Sequence, residues 1–494
     1  MRCFFFYNTH MSVELVNLEN GIPKLSLANR LISCLIAVLV CSLLSTKKVS
    51  GNEQTKTIAK IQQLDEKSGQ LATKIFSRLP SKITFKEIQS LKDFFSGSNK
   101  TMQPKDNLEL LSIIHKNLQV IITQLDVDLS AKVIQHLLDN NDYLTAKYIY
   151  ESIATSGDPL IIAKSSIPFA NYHNSRNQWH KSMAFLDIEL DELAESDLSR
   201  AAIATGIALQ GLKQHRQSIK QYQKVKPGTS SFNAAQINTA IALLRQDWWT
   251  DAHIVIQDLL KLLQKNDSHV ELQDRLYLML GYSFFNKEYY RESRESFRSI
   301  SLDSQYTNKA IMGLVLSAIA QQDYTGAYNT LTILNNKNAN DLVIEESYLL
   351  LPNLKQKLND YAAANDAYLT AIDYYEERIS QLSLITPAML SSGFEAAMTP
   401  QVEKLTVANT SFRLTSLYPN YFQENLRQLN QLSQLSDLIS DNALNKKIKD
   451  LKLEYRKTFD SAISDLVQQR IEALTSYLSQ AKYGLAQLYD ETDD

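Results

Sequence analysis

Residues 277–300 read YLMLGYSFFNKEYYRESRESFRSI, and they decide the fold. Tyr277, Leu280, Gly281 and Phe284 share one face of a first helix, and Tyr290, Ser293, Phe297 and Ile300 share one face of a second. A residue as small as Gly281 lets the two helices of a hairpin touch backbone to backbone. Working outward, the second-helix trio recurs as Tyr143/Ala146/Tyr150, Trp179/Ser182/Leu186, His215/Ser218/Tyr222, Trp249/Ala252/Ile256, Tyr290/Ser293/Phe297, Tyr324/Ala327/Leu331 and Tyr361/Ala364/Tyr368. Successive trios lie 36, 36, 34, 41, 34 and 37 residues apart. A helical unit recurring about every 34 residues is the signature of stacked hairpins.

These residues resemble the tetratricopeptide repeat. That repeat carries bulky–x–x–Leu–Gly–x–x–bulky in its first helix and Tyr–x–x–Ala–x–x–x–Phe in its second. Ile311, Leu314, Ala318, Tyr324, Ala327, Leu331 and Leu334 repeat the register of the quoted stretch. Gly206/Leu209/His215/Ser218/Tyr222/Val225 and Ala240/Leu243/Trp249/Ala252/Ile256/Leu259 supply it earlier. The unit at Trp179 is looser, and Pro352 falls where the first helix of the last unit should run. The resemblance covers about residues 126–376 and implies an all-α fold, an α-solenoid of tetratricopeptide-like hairpins. N-terminal capping helices or degenerate repeats are expected over 52–125, and a helical region with a heptad segment over 377–494.

Composition agrees with helix throughout. In 494 residues there are 13 Gly and 10 Pro, and the formal net charge is −3. Without a strong basic field, nucleic acid is not an expected partner. Cys3, Cys34 and Cys41 are the only cysteines, so the body has no thiol, disulfide or cysteine metal ligand. That fits an envelope protein, and chance explains it equally well.

Leu31 to Leu44 (LISCLIAVLVCSLL) is uncharged, with Lys24 and Arg30 before it and Lys47-Lys48 after. Its length suits a signal-peptide core better than a bilayer span. Val49-Ser50-Gly51 offers a cleavage site, while the long leader and the lysine pair favour an uncleaved anchor. Residues 1–51 are therefore a signal peptide or signal anchor, placing the body in a bacterial periplasm or on the inner membrane facing it.

Residues 52–60 read as a polar tether, followed by helices over 57–78, 84–96 and 106–124. Beyond 377 the pattern is an irregular connection with one short helix, then Leu426, Leu429, Leu432, Leu435 and Leu438 on a broad apolar face. Val467, Ile471, Leu474, Leu478, Ala481, Leu485 and Leu488 form a heptad seam. That seam serves either an intramolecular cap or an oligomer through residues 467–488.

Nothing in the sequence points to catalysis. Phosphate-cradle, dinucleotide and nucleophile-elbow glycines are missing, and no histidine pair has zinc spacing. No cofactor or metal is expected. The Glu-Ser pairs a lytic transglycosylase would need fall in repeat helices. The acidic run from Asp187 to Asp197 reads as solvated surface, and His215 as a packed core residue. Trp249 sits on the structural aromatic position, which leaves Trp248 as the tryptophan open to a functional role.

The repeat register implies a peptide-binding groove lined by Arg200, Ile203, Ile207, Ile237, Ile241, Leu244 and Arg245. Further on it adds Arg275, Leu278, Tyr282, Phe285, Lys309, Met312, Leu316 and Ile319. Such an apolar lining suits an amphipathic helix or extended apolar segment of a partner protein. The expected function is a non-enzymatic envelope scaffold. The alternative is a carbohydrate- or peptidoglycan-associated helical arch, which would show exposed aromatic and acidic groups instead.

Overall fold

A computed structural model describes residues 51–493 apart from 80–103, 125, 189–192, 265–268, 338–341, 386, 400, 401, 403, 408, 409, 414–420 and 440. The N-terminal apolar segment, the expected helix at 84–96 and Glu189, Asp191 and Glu192 lie outside the described residues. Those residues form twenty helices and one two-stranded hairpin.

The repeats are built on one turn used seven times. Asn141, Asn177, Lys213, Asp247, Glu288, Gln322 and Asn359 hold φ between 57° and 65°, each two residues before the aromatic of a trio. The N–H of the residue that follows, at Asp142, Gln178, Gln214, Tyr289, Asp323 and Asp360, bonds back to the carbonyl five positions earlier, Asp142 to Leu137 at 2.8 Å and Tyr289 to Phe284 at 2.9 Å. This Schellman closure satisfies carbonyls that the helix end would otherwise leave open. No glycine holds the left-handed position in any of the seven, so the glycine pattern that marks such turns is missing from the sequence.

The chain divides into two compact units. One comprises residues 57–246 and 381–471. It holds α1 (Gly51–Phe76, from residue 57), α2 (Pro104–Lys116), α3 (Leu118–Gln124), and the hairpins α4 (Val127–Asp139)/α5 (Tyr143–Ser156), α6 (Pro159–Ser175)/α7 (Trp179–Leu186) and α8 (Glu195–Gly211)/α9 (His215–Tyr222), then α10 (Phe232–Arg245). First helix packs on first helix, α4 on α6, α6 on α8 and α8 on α10. The polar stretch 52–60, expected to be a tether, is helical as part of α1.

Four later elements join this unit. They are α18 (Pro387–Ala397), β1 (Lys404–Val407), β2 (Thr410–Arg413) and α19 (Phe422–Ser436), together with the front of α20 (Asn442–Asp493). Within this otherwise all-α fold β1 and β2 pair antiparallel, with Leu405 opposite Phe412. Leu405 is buried against Gly393, where any side chain would collide with it.

A buried ion pair fastens α1 to the repeats. Arg176 Nε donates to Asp65 Oδ2 at 2.7 Å and its guanidinium stacks 3.5 Å over the Tyr172 ring. Lys60 and Lys67 both bond Glu454 of α20, at 3.0 and 2.9 Å.

The other unit comprises residues 247–380 and 472–493, with 51–56. It holds α11 (Trp249–Leu263), α12 (Val270–Asn286)/α13 (Tyr290–Arg298), α14 (Thr307–Ala320)/α15 (Tyr324–Asn335) and α16 (Leu342–Lys357)/α17 (Tyr361–Ser383, to residue 380). Pro352 does not interrupt α16, which runs through it and forgoes one backbone bond.

The far end of α20 lies antiparallel along α17. Tyr489 donates to Asn365 at 2.9 Å, Lys482 pairs with Glu376 at 2.7 Å, and a Cβ on Gly484 would meet the Tyr368 ring at 2.6 Å. Gly484 stands to Tyr368 as Gly313 stands to Phe297 two units earlier. The end of α20 thus occupies the place of an eighth first helix. Leu474, Ala481 and Leu488 of the heptad seam are buried within the chain by this packing.

Candidate functional site

The residues expected to meet a partner lie on the first helices, and the two units treat them differently. In the unit holding α4 to α10, Arg200 is exposed, and Ile203, Ile207, Ile241, Leu244 and Arg245 are half-buried. Ile237 is buried among its neighbours. Counting back 36 residues from Arg200 gives Lys164, and 36 more gives Asp128, the same helical position in two earlier units.

These side chains form a ladder of alternating charge. Lys164 Nζ bonds Asp128 and lies 2.8 Å from Asp197 Oδ2, while Arg200 donates to Asp197 Oδ1 at 2.6 Å. Burial disfavours the charged ammonium of Lys164, but its bonds to Asp128 and Asp197 outweigh that and raise its pKa. With Leu160 and Leu193, the ladder's Asp128, Lys164 and Asp197 line a cleft of about 530 Å³. The expected groove began at Arg200, so Lys164, Asp128 and Asp197 were missed; extending the register backwards would have reached the first two.

In the other unit the row is mostly core. Lys309 is exposed, and Tyr282 and Ile319 are half-buried. Arg275, Leu278, Phe285, Met312 and Leu316 are buried. Leu278 packs with Phe297, Ile300 and Ala310, while Phe285, Met312 and Leu316 join Val315, Leu331 and Ile344. First helices approach closely at their small residues, so side chains beside that stripe meet the adjacent hairpin before they can meet a partner. These five present little surface for recognition.

The last rung of this row is capped by the chain itself. Glu346, 37 residues after Lys309, accepts a hydrogen bond from Tyr477 of α20 at 2.7 Å and is 1% exposed. Tyr282 donates to the Lys309 carbonyl at 3.0 Å. Burial first, and then the charge of Glu346, raise its pKa.

His215 is half-buried and its pKa is lowered, by burial and then by Arg245 and Lys213, as suits a packed histidine. Among the described residues no group of His, Cys, Asp and Glu is arranged to hold a metal ion. None of their helices is long and apolar enough to cross a membrane.

No family model matches the chain, and no curated protein matches it. Among solved structures it is similar to the apo form of RapI, at 12% identity over 80% of this chain and 98% of that one, with a TM-score of 0.40. The serial packing of hairpins described above is the decisive observation. This is a helical-repeat protein.

Proposed function

We propose that the chain is a non-enzymatic scaffold of the tetratricopeptide kind that binds a segment of another protein along the first helices of α4 to α10. The observation that carries this reading is the open cleft with its charge ladder, continued by the half-buried Ile203, Ile207, Ile241 and Leu244. Apolar side chains with charged neighbours suit an amphipathic helix, whose buried anchors contribute about 1.5–3 kcal/mol each. Placement in the bacterial envelope is part of the proposal and rests on the apolar segment Leu31–Leu44 and the cysteine-free body.

Photo-crosslinking in living cells from positions 203, 207 and 244, followed by fractionation, tests both parts. Partners should be captured in the envelope fraction and lost when Arg200 is changed to Glu together with Ile207→Asp. Capture that survives these changes, or that is confined to cytosol, overturns the reading.

A further inference from the structure

The end of α20 stands as an eighth first helix, and the register says what each of its flanks should meet. Gly484 takes the place of Gly313, so Ala481 and Leu488 take those of Ala310 and Ser317, and these last four are all buried. That flank is turned to the preceding hairpin. On the opposite flank Met312 and Val315 of α14 share a core with Leu331, the third member of their own unit's trio. Leu278 shares a core with Phe297, and a Cβ on Gly281 would collide with that ring. Ile203 packs against the cluster that holds Tyr222, and a Cβ on Gly206 would collide with the Tyr222 ring. In each case two residues three apart on a first helix cradle the residue that ends the trio.

In α20 the same two places belong to Tyr483 and Ala486, and the cradle is open. Tyr483 is 58% exposed, and Ala486 is exposed too. Gln487 Nε2 donates to the Tyr483 hydroxyl at 3.1 Å, which ties the ring to the next turn of its own helix. A terminal repeat needs only a polar outer face, and a ring left in water beside a small residue is more than that. Four places beyond Gly281 stands Phe285, whose ring is 5.6 Å from Tyr290, the first member of the trio. Four places beyond Ala486 stands Asp490, and it is exposed. Every trio of this chain opens on Tyr, Trp or His, so none of its own second helices brings a permanent cation to that carboxylate.

We infer that the end of α20 receives a helix of a partner protein that completes its hairpin. This helix runs antiparallel to α20 and carries Lys or Arg at the first place, Ala or Ser three residues on, and Leu or Ile four beyond that. The Leu or Ile enters between Tyr483 and Ala486, as Leu186 shares a core with Ala170 in the α6/α7 hairpin. The small residue lets the two helices approach, and the cation pairs with Asp490. Charge at that one place separates the partner from a second copy of this chain. The site shares no residue with the proposed first-helix face and does not rest on that reading.

The test uses the full chain and a fluorescein-labelled peptide of residues 321–337, the segment that holds α15, made with Tyr324→Lys so that a cation opens its trio. Anisotropy is followed up to millimolar concentration. Peptides with Tyr324→Asp, with Tyr324 unaltered, and with Leu331→Asp added to the Lys change serve as the other arms. The Lys peptide should bind saturably, and the two Asp-bearing peptides at least tenfold more weakly. Tyr483→Glu and Ala486→Glu alter an exposed flank, so both variants should melt with the parent and lose the Lys peptide at least tenfold. Asp490→Lys should move the preference to the Tyr324→Asp peptide, and Arg200→Glu should leave binding unchanged. Binding that is absent, equal for all four peptides or unchanged in both Glu variants overturns the proposal. So does tighter binding of the unaltered peptide, or self-association of the chain that Ala486→Glu abolishes, since each makes a second copy the occupant. A clear fall in melting temperature in either Glu variant shows the cradle already covered, and overturns it as well.

Discussion

The Phe297 ring rests directly on Gly281, so close that a single added carbon on Gly281 would collide with it. On its other side the ring meets Gly313 of the next unit in the same way. Phe297 is thus the joint between two hairpins, and it is 1% exposed. Gly281→Ala and Gly313→Ala should each destabilise by about 1–3 kcal/mol, because the ring cannot retreat without parting the helices. Urea denaturation measures this, and either variant matching the parent would show that the joint yields.

At the turns the opposite change should help. Lys213 (φ 63°) and Gln322 (φ 60°) hold a conformation that disfavours a Cβ. Lys213→Gly and Gln322→Gly should stabilise by up to about 1 kcal/mol each, while Gln322→Val should destabilise. Thermal melts of the three variants give the order directly.

Asp65 and Arg176 are 4% and 6% exposed and pair in two places, at 2.7 and 3.3 Å. Removing one partner leaves the other charge buried. Arg176→Met should therefore cost about 3–5 kcal/mol, and Asp65→Leu on top of it should restore much of the loss. A double variant as unstable as the sum of the singles would contradict this.

His173 is 2% exposed, and burial, opposed by its bond to Gln178, lowers its pKa to about 4. Its Nδ1–H donates to Gln178 Oε1 at 2.7 Å, leaving Nε2 to accept from the Tyr143 hydroxyl at 3.3 Å. The folded pKa lies below the unfolded value of about 6.5, so the unfolded chain binds the proton first. Stability is complete above pH 6.5 and falls as pH drops toward 4, by an amount on the order of 3 kcal/mol at most. His173→Gln should flatten the melting temperature between pH 7 and 5 relative to the parent.

Much of the architecture was legible from Tyr–small–bulky trios alone, because a helix must show its contact face at 3.6-residue spacing and stacked units must repeat it. The seven turns were placed by that period, although their left-handed residues gave no glycine to announce them. Pro352 misled because a proline inside a helix is tolerated where tertiary packing on both sides offsets one missing bond. The strand pair at Lys404–Arg413 escaped notice because two four-residue strands carry too little alternation to register.

The proposed face was only partly readable. Register pairs Ile203 with Met312 and Ile207 with Leu316, yet Met312 and Leu316 are 0% and 1% exposed while Ile203 and Ile207 are half-buried. Helical phase says which way a side chain points, but not how near the next hairpin stands. Lys164 and Asp128 were reachable by counting, and Asp197 only through the coordinates.

Because the eighth rung is lent by α20, the array at that end closes with material made well after the hairpins it covers. Tyr477 and Glu346 are 131 positions apart, so the bond between them waits until that intervening stretch has left the ribosome. Until then Tyr368 and Tyr375 have no lid, and a message truncated before position 472 would yield a product whose final hairpin stays greasy and open to chaperones or proteases.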